Sequence, residues 1–364
     1  MRVLVAPDGF KGTLTAREAA EAIAAGWAHV RPGDALDLLP LADGGDGLCE
    51  VLARPQDRWL DHEVVGPLAR PVTARALLRA DGTAVVESAA ACGLHLVPER
   101  QRTPMVTTTF GVGELLQAVV DAGARHVLVG LGGSATVDAG LGALTGLGYR
   151  LREADGSGLK VGGGELHRLA TIEPGWVPDL SHIEVELLAD VETRLADAAR
   201  VFGPQKGATP AEVEQLTAGL AHVAGVVGRD LPHGAGCAHL PGSGAAGGLG
   251  FALAAALGAR FVPGAARVAD LVGLPAALSG AELVVTGEGR LDATSLSGKV
   301  IGALLERASA AGDIPVAAVV GHLDPPAPEQ LLAVEAASPG GPGDDPRAEV
   351  AAAAQRLAAR VGSG

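Results

Sequence analysis

Aromatic side chains are almost missing from this chain: Phe, Trp and Tyr together make up 2% of its 364 residues. A core without rings must pack small aliphatic side chains between elements that approach closely. The 48% hydrophobic content, rich in Ala and Val, suits that, and the length suits two domains with separate cores. Cysteine is equally scarce. Cys49, Cys92 and Cys237 are odd in number and show no paired spacing, which excludes a disulfide framework. They read as reduced, buried thiols of a cytoplasmic protein. Positive charge is in deficit, with 28 Lys and Arg against 42 Asp and Glu, a net −14. That balance excludes a basic footprint for nucleic acid and disfavours anionic membrane surfaces. An anionic substrate would need locally placed Lys, Arg or backbone N–H groups. Long apolar runs are absent too: the one uncharged window, 240–259, opens on dense glycine (PGSGAAGGLG) and reads as a buried loop and core helix, with no membrane span. Met1 leads straight into a strand-like RVLVA, with no export signal.

The richest stretch present is HVLVGLGGSATVDAG (126–140). An apolar strand runs into a glycine-rich turn, followed by Ser134, Thr136 and Asp138 and then an expected helix start. Such a strand–turn–helix junction can turn backbone N–H groups and a helix N-terminus toward an anion. The anion could be a dinucleotide pyrophosphate or a phosphoryl group in transit.

Around this stretch the chain alternates. The N-terminus reads strand (2–6), helix (15–28, with Thr15 and Glu18 as a capping box), strand (36–41) and a helix near 46–53. From 59 to 97 short alternating runs punctuated by Gly66-Pro67 and Asp81-Gly82 predict antiparallel pairing. Residues 153–175 read as loop, 183–189 as strand, and the region to 270 as helix-rich. The last hundred residues return to the opening rhythm: strand 282–287, helix 298–312, strands 315–321 and 332–337, and a helix from 347 to 361 capped by Asp345 with Pro346 in its first turn. Five strands alternating with helices predict an α/β protein of two domains. One is a flavodoxin-like doubly wound parallel sheet (1–58 plus 271–364), and the other a large inserted α/β domain with a mixed sheet (59–270).

Ligands of open parallel sheets bind beyond the carboxyl ends of strands. There the sequence places Asp8 and Lys11 (PDGFKGTLTA), Asp43 and Asp46 (ADGGDG), Glu288, Arg290, Asp292 and Lys299 (GEGRLDATSLSGK), and Asp138 and Asp190. Carboxylates beside glycine-rich loops suit Mg²⁺-dependent phosphoryl transfer, in which one or two carboxylates and phosphate oxygens share the ion. A P-loop is excluded, because Ala293 and Val300 break the pattern around Gly298. A dinucleotide turn competes: Gly130, Gly132 and Ala135 satisfy GxGxxA, with Glu153 and Asp155 near the ribose-acid spacing, and Gly242, Gly244 and Gly247 repeat the pattern. The histidines are dispersed, and only His322, after a strand end, draws attention. Lys206 in FGPQKGATP reads equally as a phosphate-binding cation or a solvated lysine.

Eight segments taken together, PDGFKGTLTA, LADGGDG, VVESAAACGL, TTFGVGELL, GLGGSATVDAGLG, FGPQKGAT, PGSGAAGGLG and TGEGRLDATSLSGKV, resemble in order the motifs of the type 1 glycerate kinase family. The resemblance implies ATP-dependent, Mg²⁺-requiring phosphorylation of D-glycerate, commonly to 2-phosphoglycerate, in the cleft between two α/β domains. 3-Phosphoglycerate is the alternative product, and a dinucleotide-dependent oxidoreductase the alternative enzyme. The pattern departs at Val137, where the family usually carries Asn. It departs again in ADVETRL (189–195), where only Asp190, Val191 and Leu195 match. On this basis Gly132, Gly133, Ser134 and Lys206 are assigned to nucleotide phosphates and Asp43, Glu288 and Asp292 to Mg²⁺. Lys11 and Arg290 are assigned to the glycerate carboxylate or the transferring phosphoryl, and Asp190 to the general base. A homo-oligomer is compatible with the sequence, and the last forty residues read as a variable edge.

Overall fold

The computed structural model describes residues 1–292, 295–296, 299–337 and 345–361. Thirteen strands appear among them. In chain order β1 (Arg2–Val5) and β2 (Ala35–Leu38) open the chain, and β3 (Arg58–Val65), β4 (Pro71–Leu78), β5 (Thr83–Glu87) and β6 (His126–Gly130) follow. Next come β7 (Arg150–Arg152), β8 (Thr171–Glu173), β9 (Glu184–Leu188) and β10 (Arg260–Val262), then β11 (Leu283–Leu291), β12 (Val316–Leu323) and β13 (Val334–Ala336). Two compact units result: Met1–Asp43 with Glu50–Leu52 and Pro263–Gly364, and Gly44–Cys49 with Ala53–Val262. Against the expected cuts near 58 and 270, the division falls earlier on both sides. The helix Gly264–Leu271 joins the first unit because Ala265 and Ala269 pack into that unit's core.

The first unit is an all-parallel sheet in the order β13-β12-β11-β1-β2. Renumbered within the unit, this is the 2-1-3-4-5 order of flavodoxin-like sheets. Period-two alternation divides its apolar residues between two faces. Val3, Val5, Leu283, Val285, Ala317 and Val319 pack with the helices Ala16–Val30 and Pro346–Val361. Leu4, Val284, Val316, Ala318 and Val320 pack with Gly264–Leu271 and Val300–Ala310. The capping box at Thr15 forms as expected: its hydroxyl accepts from Glu18 N at 3.2 Å while the Glu18 carboxylate accepts from Thr15 N at 2.9 Å. Asp345 caps the last helix by accepting from Ala348 N at 3.1 Å. That helix is packed against the first one. It lies so close to Ala16–Val30 that a Cβ on Gly26 would stand 2.9 Å from Ala351 Cα, the kind of approach that a core poor in aromatics requires.

The second unit is a mixed sheet, β10-β9-β6-β5-β4-β3, antiparallel across β3–β4–β5 and parallel from β5 to β10. Residues 153–175, expected as loop, contain the short turn helix Gly163–Arg168. Part of the stretch belongs to a small antiparallel pair, β7–β8. The strands of that pair are three residues each, too short to leave an alternating pattern. The glycine-dense window is a buried loop and the helix Leu249–Leu257, as expected. Among the described residues no helix is long and apolar enough to cross a membrane, and all three cysteines are buried and free.

Candidate active site

In the first unit, a cavity of about 500 Å³ opens at the carboxyl ends of β1, β11 and β12. It straddles β1 and β11, the point where the strand order reverses and where open α/β sheets bind ligands. The backbone ties the two strand ends together: Asp8 N donates to Gly287 O at 2.8 Å, and Gly289 passes so close to Lys11 that a Cβ there would meet Lys11 N at 3.1 Å. Five sequence-predicted residues of this unit, Lys11, Asp43, Glu288, Arg290 and Asp292, line the one cavity.

Their charges are unequal in availability. Lys11 is exposed and makes no ion pair among the described residues. Arg290 donates from Nε to Asp324 Oδ2 at 2.8 Å, and His322 Nε2 lies 3.0 Å from Asp324 Oδ1, so Asp324 is shared between neighbouring strand ends. The Arg290 charge is therefore already partnered. Glu288 is half-buried. Burial pushes its pKa up, Ser295 and Lys299 oppose this, and the charges of Asp292 and Asp43 add to the rise. Its Oε1 is buried and has no hydrogen-bond partner among the described residues. Among those residues no three Asp, Glu, His or Cys side chains form a closed cation cage. The carboxylates Asp43, Glu288 and Asp292 on this wall, with one buried Glu288 oxygen that has no hydrogen-bond partner among the described residues, nevertheless fit Mg²⁺, which keeps several waters and takes only one or two carboxylates beside phosphate oxygens.

The C-terminal stretch contributes Ala337, Pro346, Glu349 and Val350 to the cavity wall, a role that sequence reasoning missed. A capped, Ala-rich helix at 346–361 signalled the helix but not its neighbour. Gly298, used in excluding a P-loop, lies outside the described residues.

In the second unit, the GLGGSAT turn follows β6, and Asp190 follows the adjacent β9. Leu131 N donates to Leu188 O at 3.2 Å where the two strands end. Asp190 is half-buried at that edge. The turn is braced on several sides. Leu94 N donates to Gly133 O and Ala135 N to Cys92 O, both at 2.8 Å, and Thr107 Oγ1 donates to Ala135 O at 2.9 Å. The ADGGDG loop packs on it closely: a Cβ at Gly132 would stand 2.7 Å from Gly45 Cα, and one at Gly133 2.6 Å from Asp46 Oδ1. Gly133 also has φ +69°, a conformation that glycine adopts without strain. Among the described residues the N–H groups of Gly132, Gly133 and Ser134 donate to no protein acceptor.

Three readings of the sequence need correction here. The helix does not begin at the turn: it runs Leu141–Gly146, after an irregular stretch in which Ala139 (φ +54°) and Gly140 (φ +71°) are left-handed. Its N-terminus is capped by Asp138, which is fully buried and accepts from Gly140 N, Gly142 N, Thr109 N and Thr109 Oγ1. A helix dipole therefore adds nothing at Gly132–Ser134, and the GxGxxA reading loses the helix that a pyrophosphate turn needs. The second match fails as well, since Gly247 sits against Val137, a Cβ there falling 2.6 Å from Val137 Cα. Nor is Lys206 a solvated lysine. It is only 3% exposed, and its Nζ donates to Ser134 Oγ at 3.0 Å and Thr136 O at 2.7 Å.

With the geometry in place, comparison with known proteins is decisive. A sequence profile of the glycerate kinase family matches residues 3–362. The chain belongs to the glycerate kinase family. It is 42% identical to a glycerate kinase of Bacillus subtilis (strain 168) over 330 residues, covering 89% of this chain and 85% of that one. It is 40% identical to the glycerate 2-kinase of Escherichia coli (strain K12), over 82% of this chain and 80% of the relative. Its fold is similar to the crystal structure of a Salmonella typhimurium LT2 protein assigned as glycerate kinase 2, with a TM-score of 0.84 at 38% identity, covering 100% and 99% of the two chains. As a member of this kinase family the chain is an enzyme. Val137, where it departs from the family pattern, is fully buried in the core of the second unit, so that side chain is packing.

Proposed function

We propose that the enzyme transfers the γ-phosphoryl group of ATP to a hydroxyl of D-glycerate with Mg²⁺, giving 2-phosphoglycerate. The observation that carries this reading is the cavity at the strand ends of the first unit. It gathers the carboxylates Asp43, Glu288 and Asp292 with the exposed cation Lys11, and among the described residues one buried carboxylate oxygen of Glu288 has no hydrogen-bond partner. The relative named glycerate 2-kinase supports the 2-hydroxyl as acceptor.

In this reading Gly132 and Gly133 hold phosphate oxygens by backbone N–H groups, and Ser134 by N–H and hydroxyl. Hydrogen bonds of this kind are strongest where charge develops in the transition state. Asp43, Glu288 and Asp292 would hold Mg²⁺, which when bound neutralises charge on the transferring phosphoryl. Lys11 neutralises the glycerate carboxylate or the phosphoryl, with Arg290 the weaker partner because Asp324 already holds it. Asp190 takes the hydroxyl proton as the new O–P bond forms and the bond from γ-phosphorus to the bridging oxygen breaks, leaving ADP.

The experiment is direct. The purified chain is incubated with ATP, Mg²⁺ and D-glycerate, ADP release is followed, and the product is read by phosphorus NMR. Glycerate-dependent ADP with a 2-phosphate signal is expected; a 3-phosphate signal would overturn the regiochemistry, and no glycerate-dependent ADP the activity.

A further inference from the structure

Lys206 lies under the glycine-rich turn. It ends the short turn helix Pro204–Lys206, and its ammonium is enclosed by protein, 5.8 Å from the centroid of the Phe202 ring. The titratable groups that face it are Cys92, whose thiol burial pushes up to about 12, and Asp138, fixed by its four donors. Nothing in this arrangement exposes the ammonium to a ligand. What it does is bond the turn twice, at Ser134 Oγ and Thr136 O.

An ammonium can only donate, so the direction of the first bond is set: Ser134 Oγ accepts. The serine hydroxyl proton therefore cannot point at Lys206 and is left to donate elsewhere, and no protein acceptor for it exists among the described residues. A buried hydroxyl proton with no partner is costly unless a ligand supplies one.

We propose that Lys206 is a positioning residue of the phosphate turn, acting through Ser134 and not by contact with the nucleotide. By donating to one Ser134 Oγ lone pair it turns the hydroxyl proton away from itself, free to donate to a phosphate oxygen, and by holding Thr136 O it fixes the backbone on which that hydroxyl stands. The inference rests on the reading of the turn as a phosphate site. Burial brings the ammonium down to about 8, so the relay is intact at neutral pH and reverses when Lys206 loses its proton, because a neutral amine can accept from Ser134 instead.

The test is steady-state kinetics of the full chain with ATP, Mg²⁺ and D-glycerate for Lys206→Met, Lys206→Arg, Ser134→Ala and the Met/Ala double variant. Lys206→Met and Ser134→Ala should each lower kcat by roughly tenfold or more, with KM for glycerate within about threefold of the parent. The double variant should be no worse than about threefold below either single one, and Lys206→Arg should recover part of the loss. Effects that multiply in the double variant would overturn the relay, since the two groups would then act independently. If Lys206→Met does not fold, the pH profile decides. In the parent enzyme kcat should fall above pH ~8, and in Ser134→Ala that alkaline limb should vanish; its persistence would overturn the proposal. Folded variants with unchanged ATP kinetics would instead refute the phosphate-site reading itself.

Discussion

Three glycine-to-alanine exchanges separate backbone strain from contact in the phosphate turn and ask whether the turn does the work assigned to it. At Gly156 the backbone is left-handed (φ +83°) and nothing lies within 4 Å of an added Cβ, so the exchange costs only the strain of an L-residue there, about 1 kcal/mol. At Gly132 no left-handed backbone is involved, but the Cβ would meet Gly45 Cα at 2.7 Å. Backbone cannot rotate aside, so the turn and the ADGGDG loop must part by roughly 1 Å, an overpacking cost of about 1–3 kcal/mol. At Gly133 both terms apply: φ is +69°, and the Cβ would stand 2.6 Å from Asp46 Oδ1 and 3.1 Å from Ala89 Cβ. The Asp46 carboxylate can swing away but Ala89 cannot, which puts the total near 3 kcal/mol. Urea unfolding should therefore rank the losses Gly156→Ala, Gly132→Ala, Gly133→Ala, from least to most. Kinetics should rank differently. Gly156→Ala should match the parent, while a displacement of about 1 Å at phosphate donors costs on the order of 100-fold in kcat/KM for ATP in the other two. A folded Gly132→Ala protein with kcat/KM for ATP within about twofold of the parent would refute the placement of phosphate on this turn.

Glu288→Gln should raise the Mg²⁺ concentration needed for half-maximal rate by about tenfold or more, yet stabilise the fold, because it removes a buried charge that Asp43 and Asp292 oppose. Magnesium titration and urea unfolding check the two halves, and an unchanged Mg²⁺ requirement would remove Glu288 from the cation site. Lys206 should show itself in stability as well. Its folded pKa, about 8, lies below the 10.5 of the exposed group, so the unfolded chain binds more protons between those values. Stability of the parent should consequently rise with pH across that window, by up to about 3 kcal/mol, relative to Lys206→Met. Paired urea curves at pH 7 and 10 with a constant difference would contradict the burial of the ammonium. Gly26→Ala should lower the free energy of unfolding by about 1–3 kcal/mol in urea, since the Cβ would press on the backbone at Ala351; a stability equal to the parent's would mean that the two helices are not in that contact.

Local signals decided a great deal. The alternation of apolar strands with capped helices is a short-range property, and it was enough for the five-stranded parallel sheet and for the capping at Thr15 and Asp345. The rule that ligands meet strand carboxyl ends was enough to name Lys11, Asp43, Glu288, Arg290 and Asp292, which do line one cavity. What lay out of reach were partners distant in sequence. Asp324 claims Arg290 from 34 residues away, and Lys206 reaches Ser134 across 72. The left-handed residues at 139 and 140, which delay the helix, also answer to distant contacts, for a Cβ at Gly140 would meet Ala252 and Leu249. The sequence by itself determined the longer strands and capped helices and which chemical groups stand at their ends, because periodicity, caps and turn residues act within a few positions. Only the tertiary structure decided which of those groups are buried, paired or left open, because hydrogen bonds and desolvation depend on neighbours that the chain brings together by folding and not by spacing.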